Sequence, residues 1–413
     1  MEKNLRVKWA CYSSNVSMAV VGNLSPLLFV TFREVYGISY SLLGLLVLIN
    51  FVTQLTVDLA FSFFSHKFNI PKAVKFTPVL TIIGLVIYAF APNLVPSFPY
   101  LGLVIGTVLF SASSGFNEVL ISPVIAALPS ENPEREMSKL HSVYAWGVVG
   151  VVVFATLFLL VFQRESWQIL ALIFTIIPIV ALCLFFGAEI PKMETPEKVS
   201  GVFALMKRKE LWLCVFAIFL GGASECTMAQ WGSGYLEQAL SIPKVWGDIF
   251  GVALFALALG LGRTLYANYG KNVEKVLFLG GLGAAVCYFL AAISPLPIIG
   301  LIACVCTGFC VSMLWPGSLI AASDRLPSGG VFLFAMMAAG GDLGASVGPQ
   351  LVGVVADVAA SNETMLSFAE TLGLTAEQFG IKAGLMIGFI FPLLSILIYG
   401  ILWKNKKKQL PLQ

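Results

Sequence analysis

Four acidic side chains lie well inside long apolar runs: Asp58, Glu118, Glu225 and Asp342. A carboxylate at the centre of a lipid-spanning helix is unfavourable by about 2.5–3.5 kcal/mol. Four of them amount to on the order of 10 kcal/mol, comparable to the net stability of a whole fold. They must therefore face a protein interior or a wet cavity, where a carboxylate can bind hydrogen-bonding or cationic groups or exchange a proton. Their neighbours in helical register are polar as well. Asn50, Gln54 and Ser62 recur at steps of four around Asp58, and Ser111, Ser114 and Ser122 at steps of three and four around Glu118. Each set makes one polar stripe on an apolar helix. In "GGASECTMAQW", Met228, Ala229 and Gly232 share the face of Glu225, with Gln230 and Trp231 on flanking faces. Near the start of the chain Asn15, Gly22 and Pro26 align, as do Tyr12 and Asn23.

The stretch "GGDLGASVGPQLVG" is of another kind. Gly340, Gly344 and Gly348 recur at steps of four, a spacing that lets helix backbones approach closely, and Pro349 permits a bend. The pattern predicts a close-packed gate helix with Asp342 beside its glycine ridge. Arg263 is assigned to the end of its own run and grouped with the gate, so no Lys or Arg is expected deep in any run. Carboxylates without cations suit protons, neutral hydrogen-bonding molecules or organic cations. Each proton moved inward gains about 2.3 kcal/mol per 100 mV, enough to drive a solute uphill.

The elements that must position these groups follow from composition. The 413 residues are 58% hydrophobic and only 11% charged, against about 25% charged in soluble proteins, so the solvent is lipid. A span needs about 20 apolar residues. Twelve stretches meet that need: 8–32, 41–64, 76–92, 99–127, 142–162, 166–188, 211–237, 247–266, 276–294, 297–322, 330–358 and 381–403. With this count, 21 of the 25 Lys and Arg fall on one side, leaving Arg33, Arg164, Lys244 and Lys382 on the other. By the positive-inside rule both termini are expected in the cytoplasm, with the chain in the cytoplasmic (inner) cell membrane.

The longest connector on the basic side falls at the middle of the chain. It divides an N-terminal bundle, 1–188, from a C-terminal bundle with a short basic tail, 211–413, through a cytoplasmic loop, 189–210. The halves echo one another at an offset of roughly 195–200 residues: "LISPVIAALPSENP" returns as "MLWPGSLIAASDRLP", and "SVYAWGVVGVVV" as "MMAAGGDLGASVG". Parallel six-helix repeats around a basic loop are the mark of the major facilitator architecture. The expected fold is all-α and polytopic, with twelve transmembrane helices in two pseudo-symmetric six-helix bundles.

Other chemistry has no residues to work with. The sequence lacks a G-x-x-x-x-G-K-[ST] loop for nucleotide phosphates and a basic face for nucleic acid. Its eight cysteines lie within apolar runs and it has only two histidines, so neither disulfides nor a metal site is expected. No cofactor and no enzymatic activity are expected, and the chain reads as a monomer whose partners are a solute, protons and the lipid bilayer. The N-x-[ST] match at Asn362 reads as chance.

"FNEVLISPVIAALP", "GGASECTMAQW", "GLGRTLYANYG" and "GGDLGASVGPQLVGVVAD" together resemble the major facilitator superfamily, and within it the fucose–galactose–glucose:proton symporter group. The resemblance implies alternating access, with a central cavity lined mainly by spans one, four, seven and ten. It also implies that Glu118 matches the group's span-four glutamate, used in proton coupling and sugar binding, and that Glu225 stands in the cavity wall. The chain departs from the group in span one, where "GNLSPLL" offers Asn23, Ser25 and Pro26 in place of an acidic residue. It departs again after span two, where His66 stands at the aspartate of the superfamily's loop motif. The leading expectation is a proton-coupled importer of a small neutral polar solute, a monosaccharide. Glu118, Asp58, Glu225 and Asp342 would handle protons, and Asn23, Asn117, Tyr144, Gln230, Trp231 and Trp315 would contact the solute. A proton antiporter exporting amphipathic or cationic compounds fits the same residues, and a non-transporting receptor on this fold is a more distant alternative.

Overall fold

The computed structural model describes residues 2–38, 40–193, 199–242 and 249–409. Residues 247 and 248, which open span eight in the sequence reading, lie outside them, as do Lys198 and Lys244. Among the described residues every regular element is helical. The chain forms two compact units, Met1–Lys207 with Pro327–Ala339, and Arg208–Leu326 with Gly340–Gln413. Among the described residues ten helices are long and apolar enough to cross a membrane, and Leu45–Phe61 is a shorter apolar stretch. The first helix owes its weaker apolar character to Ser13, Ser14, Asn15, Ser17, Asn23 and Ser25 along its length.

The first unit comprises α1 (Glu2–Leu27), α2 (Phe29–Tyr36), α3 (Tyr40–Phe64), α4 (Ile70–Leu94), α5 (Pro99–Ala127), α6 (Pro133–Phe162), α7 (Trp167–Phe174), α8 (Ile176–Phe185) and α9 (Val199–Met206). Two helices start earlier than apolarity alone indicates, because their first turns are set by caps. Asn69 accepts from the Lys72 amide and Asn132 from the Arg135 amide, each with a proline at the start of the helix, where its missing N–H is no loss. The core is aromatic: Phe32 meets Trp167 edge-on at 4.9 Å, and Tyr88 meets Phe110 at 5.3 Å. α4 lies tightly on α5, since a Cβ at Gly106 would fall 2.7 Å from that of Tyr88 and one at Gly102 2.6 Å from that of Ala91. Arg6 closes the unit by donating to the carbonyls of Cys183, Leu184 and Phe186 at 3.0, 2.9 and 2.7 Å, the unpaired end of span six.

The second unit comprises α10 (Lys209–Gly234), a π turn (Tyr235–Ala239), a second π turn (Ile249–Ala253) leading into α11 (Leu254–Tyr269), α12 (Val273–Ile293), α13 (Pro297–Val311), α14 (Leu314–Arg325), α15 (Gly330–Ser361) from Gly340 onward, α16 (Glu363–Thr371), α17 (Ala376–Gly388) and α18 (Ile390–Gln409), while the first part of α15 belongs to the first unit. Its closure parallels that of the first unit: Tyr399 on α18 donates to the Ala217 carbonyl of α10 at 2.9 Å. Asn362 caps α16, accepting from the Met365 amide. Three spans are interrupted just before a proline, at Thr175 before Pro178, at Ser312 and Met313 before Pro316, and at Phe389 before Pro392. The proline ring removes a donor and clashes with the carbonyl one turn back. At Pro349, where the sequence permits a bend, α15 runs unbroken.

The repeat is visible atom by atom. Tyr88 on α4 and Tyr288 on α12 stand 200 positions apart in sequence and both are fully buried. The Tyr88 hydroxyl bonds the Ser25 hydroxyl at 2.8 Å, and that of Tyr288 donates to the Ser224 carbonyl at 2.7 Å. In each unit the third span therefore grips the same level of the first.

Candidate functional site

In the first unit the two polar stripes meet. Asn50, Gln54 and Asp58 on α3 are buried, Asp58 completely, as are Ser111, Ser114, Asn117 and Ser122 on α5. The Ser111 hydroxyl donates to Asn50 Oδ1 at 2.6 Å. Gly115 lets the helices press together there, since a Cβ on it would meet the Gln54 carbonyl at 3.2 Å and Val57 Cβ at 3.0 Å. Glu118 is half-buried. Beside it Asn117 is 2% exposed, and its Oδ1 has no hydrogen-bond partner among the described residues. An amide oxygen shielded from water without a donor is unfavourable by about 1–3 kcal/mol, which a bound hydroxyl or water would relieve. The Ser62 side chain is outside the described set.

A second group lines the contact of α1 with α6. Asn15 donates to the Leu140 carbonyl at 2.7 Å and Asn23 to that of Ala19 at 2.8 Å. The Tyr144 hydroxyl lies 3.7 Å from where a Cβ of Gly22 would stand, one residue from Asn23. At the end of this contact Lys8 and Lys139 both pair with Glu136, at 2.9 and 3.2 Å.

The second unit corrects the expectation that no cation lies deep among the carboxylates. Arg263 is 2% exposed. Its Nη2 donates to both carboxylate oxygens of Glu225 at 2.9 Å, and its Nε to the Ser312 carbonyl at 2.8 Å. α11 continues to Tyr269, so Arg263 sits more than a turn inside the helix end and its long stem carries the guanidinium across to α10. Ser312 is the residue at which span ten breaks, which is why its carbonyl is free to accept.

The remaining residues of the sequence reading separate. Asp342 is 7% exposed on α15. Gly340, Gly344 and Gly348 face α10: a Cβ at Gly340 would meet Val215 Cγ1 at 2.8 Å, one at Gly344 would fall on the Phe219 carbonyl, and one at Gly348 would meet Thr227 Oγ1 at 2.5 Å. Trp231 donates to the Pro349 carbonyl at 3.0 Å, and Trp315 packs over Gly222 and Gly341. Gln230 is exposed.

Two buried charges escaped the sequence reading. Glu274, assigned to a connector, is fully buried and receives Arg325 at 3.2 Å, while Arg325 also donates to the Leu402 carbonyl at 2.9 Å. Lys382 is 7% exposed and donates to the Ser294 carbonyl at the end of α12. Both stand at the edges of apolar runs, where hydropathy gives no hint of burial.

The sequence model of the Major Facilitator Superfamily matches residues 10–349. Among solved structures the chain is similar to the E. coli fucose:proton symporter FucP, at 15% identity and a TM-score of 0.70 over 94% of this chain and 98% of that one. It is similar to the proton:xylose symporter XylE bound to 6-bromo-6-deoxy-D-glucose, at 13% identity and a TM-score of 0.73 over 98% and 96%. A third likeness is to the human organic anion transporter TETRAN, at 12% identity and a TM-score of 0.63 over 96% and 99%. No curated protein matches the chain. Identities this low speak for the fold, whereas the superfamily model spans most of the sequence. The chain is a multi-pass membrane protein that belongs to the major facilitator superfamily of transporters.

Proposed function

We propose that the chain imports a small neutral polar solute, a monosaccharide, together with protons by alternating access. The observation that carries this reading is the meeting of the α3 and α5 stripes, which sets Asp58, Asn117 and Glu118 among hydroxyl and amide groups suited to a sugar's hydroxyl rim. Glu118 is the proton-coupling group, being half-buried and next in sequence to Asn117, whose buried oxygen lacks a partner among the described residues. Asp58 assists from α3. Glu225 already faces a guanidinium, so its role is to hold spans seven, eight and ten in register. Asp342 stands beside the glycine ridge, on the helix assigned to gating. Asn23 and Tyr144 supply further contacts in the first unit, and Trp231, Trp315 and Gln230 in the second. Likeness to the fucose:proton symporter FucP and the proton:xylose symporter XylE supports both the solute class and the coupling. Both units are assigned to a single cell-membrane transporter with cytoplasmic termini, from the one-sided placement of Lys and Arg.

The test is uptake of labelled fucose, galactose, glucose and xylose into proteoliposomes with an acidic exterior, in the native protein and in Glu118→Gln. The native protein is expected to accumulate one of these sugars above the outside concentration. The variant is expected to exchange that sugar across the membrane while losing accumulation. Undiminished accumulation by Glu118→Gln removes Glu118 from coupling, and a solute that moves against the proton supports the antiport reading.

A further inference from the structure

A groove of about 600 Å³ opens on the flank of the first unit, beside the connector from α3 to α4. Phe68, Phe76, Val79 and Phe116 line it together with Lys72 and Lys75; for a bound lipid the Phe68 and Phe116 rings would serve as walls, Phe76 and Val79 as floor and the lysines as rim. The walls are held from behind by the buried Phe61, which stacks on Phe68 at 4.6 Å and meets Phe116 edge-on at 5.4 Å. Asn69 caps α4 on the Lys72 amide at 3.1 Å, which fixes the backbone from which the lysines project.

Charge and polarity are ordered along this groove. Lys72, Lys75, Phe76 and Val79 occupy positions i, i+3, i+4 and i+7 of α4, so they share one face. That face passes from two ammonium groups to apolar surface over about 10 Å of helix. No acidic residue occurs between Asp58 and Glu118. Among the described residues neither Lys72 nor Lys75 forms an ion pair. Lys67, over the Phe64 ring at 5.1 Å, adds a third cation nearby. Phe76 is 55% exposed and Phe68 42%, so apolar surface awaits a chain directly below uncompensated positive charge.

We propose that this groove is a binding site for one anionic phospholipid, with its phosphate between Lys72 and Lys75 and an acyl chain along Phe76 and Val79. A zwitterionic lipid offers the same chain but cancels the phosphate charge within its own headgroup. A free anion satisfies the lysines and leaves the apolar floor bare. Each lysine near a membrane surface strengthens binding of anionic lipid about fivefold.

Native mass spectrometry and thermal unfolding of the full chain in detergent test the site, with phosphatidylglycerol, phosphatidylcholine or inorganic phosphate added. The expected result is one retained phosphatidylglycerol and a raised unfolding temperature that neither other addition reproduces. Lys72→Gln with Lys75→Gln should weaken that binding about 25-fold. Val79→Trp should abolish it by filling the floor while both lysines remain. Lys271→Gln with Lys275→Gln, an exposed basic pair on the second unit, should leave it unchanged. Equal retention of phosphatidylcholine, equal protection by phosphate, or native-like retention by the Lys72/Lys75 and Val79 variants overturns the proposal.

Discussion

Arg263 spends its planar fork on two acceptors at once, the Glu225 carboxylate and the Ser312 carbonyl. Removing one partner of a buried pair leaves an uncompensated charge and destabilises by about 3–5 kcal/mol. Arg263→Met is therefore expected to lower the unfolding temperature and the yield of folded protein sharply. Arg263→Met combined with Glu225→Gln should recover much of the loss, because no charge is then stranded. Fluorescence-monitored unfolding in detergent reads both, and a double variant no better than the single one would show that the pair is not the source. Lysine is a poor substitute at this position, since one ammonium cannot replace the separate Nη2 and Nε donors that reach the Glu225 carboxylate and the Ser312 carbonyl. The carboxylates themselves were legible in the sequence, because an acidic residue within an apolar run stands out. The partner was not, because it lies 38 positions away on another helix, and hydropathy treats each helix alone.

Between elements, the glycine ridge of α15 decides how near α10 can come. Gly340, Gly344 and Gly348 meet Val215, Phe219 and the Ala223–Thr227 turn, so steps of four on one helix answer steps of four on the other. Gly344→Ala places a methyl group on the Phe219 carbonyl and is expected to destabilise by about 1–3 kcal/mol through overpacking. Gly150→Ala on α6, where a Cβ meets nothing within 4 Å, should be neutral or slightly stabilising. Comparing the two unfolding temperatures separates steric contact from the general effect of adding a methyl to a helix. Glycine spacing declared a close approach in the sequence, yet it did not name the helix approached. The prolines were legible only in part: Pro178, Pro316 and Pro392 interrupt their spans while Pro349 does not, and spacing alone does not distinguish them.

For the whole molecule, the duplication makes its own prediction. Tyr88 and Tyr288 perform equivalent tasks in the two units, and a net hydrogen bond is worth about 0.5–1.5 kcal/mol. Tyr88→Phe and Tyr288→Phe should therefore lower stability by similar amounts, each of that size, when unfolding is followed by denaturant titration. A large loss for one and none for the other would mean that the correspondence is one of sequence position only. The all-helical architecture was readable from composition and span length, since lipid leaves few ways to satisfy a backbone. The helix starts at Ile70 and Pro133 were not, because asparagine caps lie in polar segments that a search for apolar length passes over.

Arg6 reaches carbonyls 177 to 180 positions downstream, and Tyr399 reaches one 182 positions upstream. The first fastening joins α1 to the end of α8, and the second joins α10 to α18. At a ribosomal pace of about 5–20 residues per second, the opening helix of each unit waits roughly 10–40 s for its counterpart to emerge. During that interval the serine-bearing flank of each opening helix relies for shelter on insertion machinery or on helices that arrive sooner. Each clasp can therefore shut only once its later helix, α8 or α18, has been delivered.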